Sequence, residues 1–408
     1  MPTCELVTIG SELLNGSTLN TNAQFLARRV SALDIDVIYQ TSCRDQEQEI
    51  LDTLTRAFER SDLIFVTGGL GPTPDDITRE AIAKFFGCGL KFHPRQHQHV
   101  LRYFKKIKKH PPIITRREAF FPEMAKPLLN RFGIALGFYV HQSGRLLIAL
   151  PGVPRELVGM YEASVERLIQ RVFKNRMPNY MLEARIVGLS EPQIMKKLGN
   201  DFFKGRRFDF GIYPEIGQVT IRLKTKEKKL ISVLRNDLIK KMSDSIFSFS
   251  GDRLETVIGR LLLAQRKTIS IAESCTGGLL SKRITDSSGA SRYFKGGLVA
   301  YSNEIKRKQL GVPERLLREK GAVSKETARW LARSVRMNYK TSIGISVTGI
   351  AGPGGGTRKK PVGLVYIALA DSKRISALEF RFLGDRDTIR IRSTQKALEL
   401  LWRWLKTK

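Results

Sequence analysis

Two glycine-rich turns in this chain carry the side chains that could do chemistry. The first runs from Thr67 to Asp76 (TGGLGPTPDD), after an apolar strand predicted at 63–66. Backbone N–H groups in such a turn can approach an anion closely, because glycine has no Cβ and the next helix N-terminus carries partial positive charge. Asp75 and Asp76 are oxygen ligands of the kind that Mg²⁺ takes beside phosphates. The turn predicts a phosphate and metal site, although a tight turn with a capping aspartate explains these residues equally well.

The second turn spans Glu273 to Gly278, between a strand predicted at 268–272 and a helix predicted at 279–285. Ser274 in this turn precedes a helix N-terminus, whose free N–H groups can stabilise a developing oxyanion. A serine before two glycines is more often a helix cap than a nucleophile. The neighbouring Cys275 is likewise more often a small buried residue than a reactive one.

The chain beyond residue 141 contains no histidine, which excludes Ser-His-Asp and Cys-His chemistry from its C-terminal half. Lys306 is the candidate base for Ser274. A lysine that is desolvated, or crowded by other cations, can lose enough pKa to deprotonate a serine. Arg307 and Lys308 are predicted to supply the crowding, although a lysine after a strand is usually solvated.

Three of the five histidines, His93, His97 and His99, stand close together in sequence. Residues at i and i+4 meet on one helix face, so a metal cluster is one interpretation. Pro94 is expected to disturb the local helix and no carboxylate is near in sequence. A solvated polar segment is therefore the favoured interpretation.

The elements that position these turns alternate between strand and helix, which is the signature of a parallel sheet covered on both faces. The predicted fold class is α/β, with two three-layer α/β domains joined by a small α+β domain. The predicted domains are residues 1–169, 170–252 and 253–408. The supporting elements are strands at 5–10, 35–39, 63–66, 145–150, 268–272 and 342–347, and helices at 22–33, 50–59, 77–86, 254–265, 279–285 and 386–406.

The charge of the chain is strongly basic and unevenly distributed. Among its 408 residues, 70 Lys and Arg stand against 39 Asp and Glu, a net charge of +31. Residues 1–100 count 9 basic and 13 acidic (−4), residues 101–254 count 30 and 14 (+16), and residues 255–408 count 31 and 12 (+19). A hydrophobic share of 42% excludes wholesale disorder. The excess predicts an anionic partner, whether nucleic acid, membrane surface or phosphorylated small molecule, and does not choose among them.

The four cysteines are far apart and form no C-x-x-C pair, so neither a zinc ribbon nor a disulfide framework is predicted. The chain shows no signal-peptide pattern and no apolar run near the ~20 residues that span a bilayer. We therefore expect a cytoplasmic protein with reduced thiols and no membrane partner.

The N-terminal motifs resemble those of a known family. Residues 68–78 (GGLGPTPDDIT), 10–14 (GSELL), 20–22 (NTN), Asp45 and 151–156 (PGVPRE) are similar to signatures of the CinA (competence/damage-inducible) family, whose first domain has the MoaB/MogA molybdopterin-binding fold. The resemblance implies a metal-dependent ADP-ribose pyrophosphatase, with a divalent cation that is expected to be Mg²⁺. It implies metal and phosphate handling by Asp45, Asp75 and Asp76. Further candidates for phosphate or substrate binding are Glu12, Asn20, Gly68, Gly69, Gly71 and Thr73.

Two loops depart from that family pattern. The first begins with Glu118 where Gln is usual and has Met124 where Gly is usual. The second has Ile134 and Leu136 where Thr and Pro are usual. The fold is therefore predicted more firmly than the pyrophosphatase activity.

The second set of motifs resembles the C-terminal domain of the same family, a nicotinamide-mononucleotide (NMN) amidohydrolase of the PncC type. The matching stretches are AESCTGG at 272–278, GGLVAYSN at 296–303, GAVS at 321–324, TGIAGPGGG at 348–356, KPVG at 360–363 and GDR at 384–386. By that resemblance Ser274 is the nucleophile, Lys306 its general base and Tyr301 an assisting residue, with no cofactor. The N–H groups of Thr276 and Gly277 are candidates for the oxyanion hole. Candidates for holding the ribose phosphate are Thr348, Gly349, Gly352 and Arg386, with Arg390 and Arg392 as weaker choices.

Two other interpretations stay open. The net charge and the family name permit a competence- or DNA-damage-associated nucleic-acid-binding scaffold with vestigial sites, although no helix-turn-helix or stacking aromatics appear in the basic stretches. The N-terminal domain could also bind molybdopterin, an interpretation that rests on fold analogy alone. The expected partners are NMN, ADP-ribose and a second copy of the chain in a homodimer.

Overall fold

The computed structural model describes residues 2–174 and 180–407, and the chain divides into two compact units, residues 1–178 and 179–408. The first unit is built on a six-stranded sheet of order β2-β1-β3-β8-β7-β6, with β4 and β5 forming a separate two-stranded sheet. Its strands are β1 Thr3–Ile9, β2 Asp36–Cys43, β3 Leu63–Thr67, β4 Leu90–Phe92, β5 Phe120–Pro122, β6 Lys126–Leu128, β7 Gly137–Gln142 and β8 Arg145–Leu150. Its α-helices are α1 Ser11–Leu14, α2 Thr21–Ala32, α3 Glu47–Arg60, α4 Thr78–Phe85, α5 Pro94–Lys106, α6 Pro154–Met160 and α7 Glu166–Val172.

The central strands of this sheet are buried on both faces, because alternate side chains point to opposite sides. Ile64 and Val66 of β3 join one apolar cluster with residues of α3 and α4, while Leu63 and Phe65 join another with residues of α2 and α6. Strands β2, β1, β3 and β8 are parallel, so the turns after β1, β3 and β8 meet at one edge of the sheet. Ligands of open α/β sheets bind at such an edge.

The second unit contains two sheets. A four-stranded antiparallel sheet has the order β10-β11-β9-β12, and a five-stranded sheet has the order β14-β13-β15-β16-β17, in which β14, β13 and β15 are parallel. The strands are β9 Tyr180–Val187, β10 Asp209–Glu215, β11 Gln218–Thr225, β12 Ile246–Ser248, β13 Ile269–Glu273, β14 Phe294–Val299, β15 Ile343–Gly349, β16 Leu364–Ala370 and β17 Ile375–Arg381. The α-helices are α8 Glu191–Leu198, α9 Lys228–Met242, α10 Leu254–Ala264, α11 Leu279–Thr285, α12 Asn303–Leu310, α13 Glu314–Glu319, α14 Lys325–Asn338 and α15 Arg386–Lys406.

The α/β class predicted from the sequence is confirmed, with helices packed on both faces of the larger sheets. The antiparallel strands β6, β7, β16 and β17 extend one side of each predicted parallel core. Pro94 opens helix α5 instead of disturbing it, because the first helical position needs no N–H partner. No helix in the described ranges is both long and apolar enough to cross a membrane.

Candidate functional site

The turn after β13 is held by a buried carboxylate. Glu273, the last residue of the strand, is 1% exposed and accepts N–H groups from Gly278 at 3.0 Å, Leu280 at 3.0 Å and Ser281 at 2.8 Å. These bonds satisfy the free N–H groups at the start of α11. The sequence does not indicate this role, because Glu273 stands six residues before the first residue of α11. Ser274, the next residue, is thereby fixed in position.

Lys306 reaches Ser274 through the protein interior. Its side chain is 1% exposed, and its Nζ donates to Ser274 Oγ at 3.2 Å and to the carbonyls of Ala300 at 2.7 Å and Tyr301 at 3.0 Å. Helix α12 sets this reach, since Ser302 Oγ caps it by accepting the Ile305 N–H. Burial lowers the pKa of Lys306 to about 8. The predicted pair of serine and lysine therefore lies within hydrogen-bond distance.

The cause predicted for the lowered pKa of Lys306 is wrong in part. Arg307 and Lys308 are exposed and form ion pairs with Glu314 at 3.2 Å and Glu304 at 2.7 Å. Their charges are compensated by those carboxylates on the solvent side of α12. Desolvation of Lys306, and not crowding by other cations, lowers its pKa.

The other residues of the turn after β13, Cys275 to Gly277, include both free and engaged groups. Cys275 is 6% exposed, and burial raises the pKa of its thiol to about 12, which keeps it protonated and unreactive. The Gly277 N–H donates to the Ser274 carbonyl at 3.2 Å and is not free for an oxyanion, contrary to the prediction. Within the described part of the chain, the Thr276 N–H donates to no other group, and its buried Oγ1 has no partner. Thr276 is the remaining predicted oxyanion donor.

Arg386 is hydrogen-bonded to two of the other predicted residues. Its Nη2 donates to the Tyr301 hydroxyl at 2.8 Å, and its Nη1 donates to the Gly352 carbonyl at 2.5 Å. Both Arg386 and Tyr301 are exposed, and the Tyr301 backbone carbonyl is a partner of Lys306. Arg390, one turn further along α15, donates to the Thr276 carbonyl at 3.2 Å. Arg386 and Arg390, which lie one turn apart on α15, therefore border the site around Ser274 and Lys306.

Thr348 and Gly349 have structural roles that the sequence did not predict. Thr348 is fully buried and its hydroxyl donates to the Ala322 carbonyl at 2.8 Å. A Cβ on Gly349 would lie 2.6 Å from Val365 Cγ2, so strand pairing with β16 requires glycine there. The hydroxyl of Thr348 is thus committed to holding the Ala322 loop, and we correct its assignment as a phosphate ligand.

A second site lies at the strand-end edge of the first unit. A pocket of about 370 Å³ brings together eight of the nine residues predicted there, and Thr73 alone of the nine is outside its lining. Gly68 and Gly69 form its floor with φ of 99° and 62°, and a Cβ on Gly68 would lie 2.0 Å from the Ile9 carbonyl oxygen. The predicted residues in the lining are Glu12, Asn20, Asp45, Gly68, Gly69, Gly71, Asp75 and Asp76.

The carboxylates of this pocket already serve as caps. Asp45 accepts the Ser11 N–H and hydroxyl, each at 3.0 Å, and Asp76 accepts the Thr73 N–H at 2.9 Å and hydroxyl at 2.5 Å. Asp75 is exposed. In residues 2–174 and 180–407, no three His, Cys, Asp or Glu side chains stand together as a metal cluster. The donor set does not fit a cation held by protein alone; it fits Mg²⁺ that takes one or two carboxylates and completes its shell with phosphate oxygens and water.

Two further residues predicted for this pocket have local roles. Asn20 caps α2, because its Oδ1 accepts the Ala23 N–H at 2.9 Å, and its Nδ2 donates to Thr8 Oγ1 at 3.2 Å. Glu12 folds over the turn after β1, so that a Cβ on Gly10 would lie 2.6 Å from its Oε1. Both side chains shape the pocket wall, and the Glu12 carboxylate stays available to a ligand.

A buried ion pair that the sequence did not reveal lies behind the glycine turn. Arg79 and Glu118 are 1% and 0% exposed, and an Arg79 nitrogen lies 2.5 Å from a Glu118 oxygen. Burial raises the pKa of Glu118 to about 7, even though the Arg79 charge opposes that shift. The departure from the family pattern at Glu118 is thus matched by an arginine partner. Of the other departures, Leu136 is buried in the core and Met124 is exposed, so neither lines the pocket.

The histidines of α5 are not arranged as a metal site in the described residues. His99 Nε2 lies 2.6 Å from the Asn130 carbonyl, and His97 packs against Phe92. Burial lowers the pKa of His93. The segment is a half-buried helix face, so it is less solvated than predicted.

Comparison with known proteins finds two domain families. A model described as "CinA C-terminal domain" matches residues 251–405, and one described as "Probable molybdopterin binding domain" matches residues 5–171. The chain is 38% identical over 408 residues to a CinA-like protein of Dictyoglomus turgidum, covering 98% of this chain and 99% of that protein. It is 39% identical over 409 residues to a competence-damage inducible protein of Halothermothrix orenii, covering 98% of each. A crystallised CinA protein of unknown function from Thermoplasma acidophilum shares 32% identity, covering 41% of this chain and 98% of that one, with a TM-score of 0.38.

Proposed function

The chain belongs to the CinA family, and from that premise we propose that its C-terminal region is an amidohydrolase that converts nicotinamide mononucleotide to nicotinic acid mononucleotide and ammonia. One observation carries the proposal. The Lys306 Nζ is buried, lies 3.2 Å from Ser274 Oγ, and has a pKa lowered to about 8. A neutral lysine beside a serine at a helix N-terminus is the arrangement that a Ser/Lys hydrolase needs.

The first half of the reaction forms an acyl-enzyme. Neutral Lys306 takes the proton of the Ser274 hydroxyl while Oγ attacks the carboxamide carbon of the substrate. The Thr276 N–H is the available donor for the oxyanion that develops. Lys306 then returns its proton to the nitrogen that leaves as ammonia. The serine ester of the nicotinic acid mononucleotide remains on the protein.

The second half of the reaction reverses these roles. A water molecule gives a proton to Lys306 and attacks the ester carbon, and Ser274 leaves with that proton restored. The product is the carboxylic acid, and the protein returns to its starting state. Arg386, held by Tyr301 and Gly352, is positioned at the rim of the site to attract the phosphate of the mononucleotide.

We also propose a second activity for the first unit, cleavage of the pyrophosphate bond of ADP-ribose. The glycine turn, the pocket of about 370 Å³ and its carboxylates support this proposal. When bound, a divalent cation would supply neutralisation of charge on phosphoryl oxygens. Asp75 would hold it with Asp45 or Asp76, while Glu12 would be available to orient water.

The names of the relatives suggest a different candidate function, a role in competence or in the response to damage. The net charge of +31 is the observation in this chain that suits a nucleic-acid-binding scaffold. Salt-dependent binding of DNA or RNA by a protein without hydrolytic activity would support that candidate over the enzyme.

Product analysis separates these functions. Purified protein is incubated with NMN and with ADP-ribose, each with and without EDTA, and the products are identified by chromatography and mass spectrometry. We expect ammonia and nicotinic acid mononucleotide regardless of EDTA, and AMP with ribose 5-phosphate only without EDTA. Absence of NMN turnover in both conditions contradicts the proposed amidohydrolase.

A further inference from the structure

The carbonyl groups of the glycine turn in the N-terminal pocket are held from behind. Thr78 Oγ1 donates to the Gly68 carbonyl at 2.8 Å, and the Thr78 N–H donates to the Gly69 carbonyl at 3.1 Å. Thr78 is fully buried and is not part of the pocket lining. The carbonyls of Gly68 and Gly69 therefore face away from the pocket.

Arg79 continues this arrangement for the next two residues. Its guanidinium donates to the Leu70 carbonyl and, through Nη1, to the Gly71 carbonyl at 3.2 Å. The same guanidinium is fixed by Glu118, whose pairing with it is buried. Like Thr78, Arg79 is outside the pocket lining. A single guanidinium thus joins one carboxylate to two successive carbonyls.

A trans peptide plane points its C=O and the following N–H in opposite directions. Carbonyls held behind the turn therefore direct the N–H groups of Gly69, Leu70 and Gly71 into the pocket. None of these three N–H groups donates to any protein group in the described ranges. Successive N–H groups that converge in this way bind anions.

We propose that Thr78 and Arg79 are the positioning residues of this pocket, and that the three N–H groups they direct bind a phosphoryl group without any metal. The inference rests on the proposed pyrophosphate chemistry of the same pocket and assigns its phosphate contact to the protein itself. Glu118 is the counter-ion that keeps Arg79 in place. The ligand class is a phosphate or pyrophosphate oxyanion.

The test measures binding of inorganic pyrophosphate to the full chain in EDTA by isothermal titration calorimetry. The double change Arg79→Met, Glu118→Leu removes both buried charges together, because loss of one alone leaves the other unpaired. We expect its affinity to fall about tenfold or more, since hydrogen bonds to a charged ligand are lost. The matched control Arg95→Met removes an exposed cation outside the pocket and leaves the affinity unchanged. Unchanged affinity in a folded double variant overturns the inference.

Two single variants extend the test. Glu118→Gln keeps a hydrogen-bond acceptor for Arg79 but removes the negative charge, so pyrophosphate affinity should rise about threefold, an effect that loss of structure would not produce. Arg79→Lys decides the question if the double variant does not unfold cooperatively. A lysine ammonium cannot donate to the Leu70 and Gly71 carbonyls and to Glu118 with the planar geometry of a guanidinium. The pyrophosphate affinity of the Arg79→Lys variant should therefore also fall about tenfold, and an unchanged affinity contradicts the proposal.

These outcomes are separable from the proposed hydrolysis. Pyrophosphate binding that depends on Arg79, in a protein that leaves ADP-ribose intact, supports the binding inference and refutes the activity. ADP-ribose hydrolysis with an unchanged KM in the Arg79→Lys variant refutes the binding inference and leaves the activity standing.

Discussion

The two candidate sites differ in how far their functional groups are already arranged without a ligand. In the C-terminal site, Lys306 and Ser274 are already hydrogen-bonded in a buried environment, and the lysine pKa is lowered to about 8. In the N-terminal pocket the carboxylates of Asp45 and Asp76 are engaged by Ser11 and Thr73, while backbone N–H donors and the carboxylates of Glu12 and Asp75 are left for a ligand. The side-chain pair of the first site is therefore assembled before any ligand binds, whereas the phosphate site that we propose for the second is completed by its ligand.

The difference follows from the chemistry that we propose for each site. A Ser/Lys pair requires one precise side-chain contact, which burial can enforce before the substrate arrives. The cleavage of a pyrophosphate that we propose for the other site requires several donors around a large anion, and a cation whose remaining ligands come from that anion. Independence of the two sites is therefore the first property to test.

The largest expected effect belongs to the nucleophile. Ser274→Ala should lower NMN deamidation about 10⁴-fold or more, because no acyl-enzyme can form. Cys275→Ala is the matched neighbour and should retain activity within a factor of about three, since its thiol is buried and protonated. Ammonia release measures both. If activity survives in Ser274→Ala and disappears in Cys275→Ala, the nucleophile is Cys275 and the assignment to Ser274 is wrong.

Removal of the base should be nearly as damaging. Lys306→Met replaces the ammonium with an apolar side chain of similar length and should lower kcat about 10³-fold or more, because paired residues act as a unit. Thermal unfolding checks that the variant is folded, and loss of a buried charge should not lower its stability. A loss of less than about tenfold would place the base elsewhere.

Loss of ADP-ribose hydrolysis in the N-terminal pocket should leave NMN deamidation in the C-terminal site unchanged. The double change Asp75→Ala, Asp76→Ala, or EDTA, should reduce ADP-ribose hydrolysis by about 10²-fold or more. NMN deamidation measured in the same samples is the control and should be unchanged. Loss of both activities would refute two independent sites.

The pH dependence of deamidation reports on Lys306. The lysine must be neutral to accept a proton, so kcat/KM should fall about tenfold per pH unit below its pKa and level off above it. The lowered pKa places that bend near pH 8. A rate that is already constant from pH 6 upward would show that Lys306 is not the titrating base.

The smallest expected effect concerns substrate capture. Arg386→Ala should raise the KM for NMN about tenfold and leave turnover of nicotinamide riboside, which has no phosphate, unchanged. Arg315→Ala, at an exposed position of helix α13 outside the proposed site, is the matched control. Equal effects of Arg386→Ala on both substrates would indicate that the arginine acts through Tyr301 and not on phosphate.

Local patterns in the sequence predicted much of the fold. Strands at 63–66 and 145–150 and the last helix at 386–406 were found close to their observed bounds, because apolar runs and helical periodicity are local signals. The antiparallel strands β7 and β16 are not predicted from the sequence, since their direction depends on which strands they pair with. Pairing is a property of the whole sheet.

The site was predicted in part for the same reason. Ser274 and Lys306 stand in motifs that the sequence shows, but the burial that desolvates Lys306 is a property of the folded chain. Arg79 and Glu118 are 39 positions apart, and nothing in their local sequence indicates that they pair. Thr348 has the residue type of a phosphate ligand, yet its hydroxyl is used by Ala322.

The central claim is that a serine ester forms at Ser274 with Lys306 as base. Acid quenching of the protein during NMN turnover, followed by peptide mass spectrometry, detects that ester directly. We predict a mass gain equal to NMN minus ammonia on the peptide that contains Ser274, present in the Cys275→Ala variant and absent from Lys306→Met. A gain located on Cys275, or turnover that proceeds at full rate in the Ser274→Ala variant, would contradict the account.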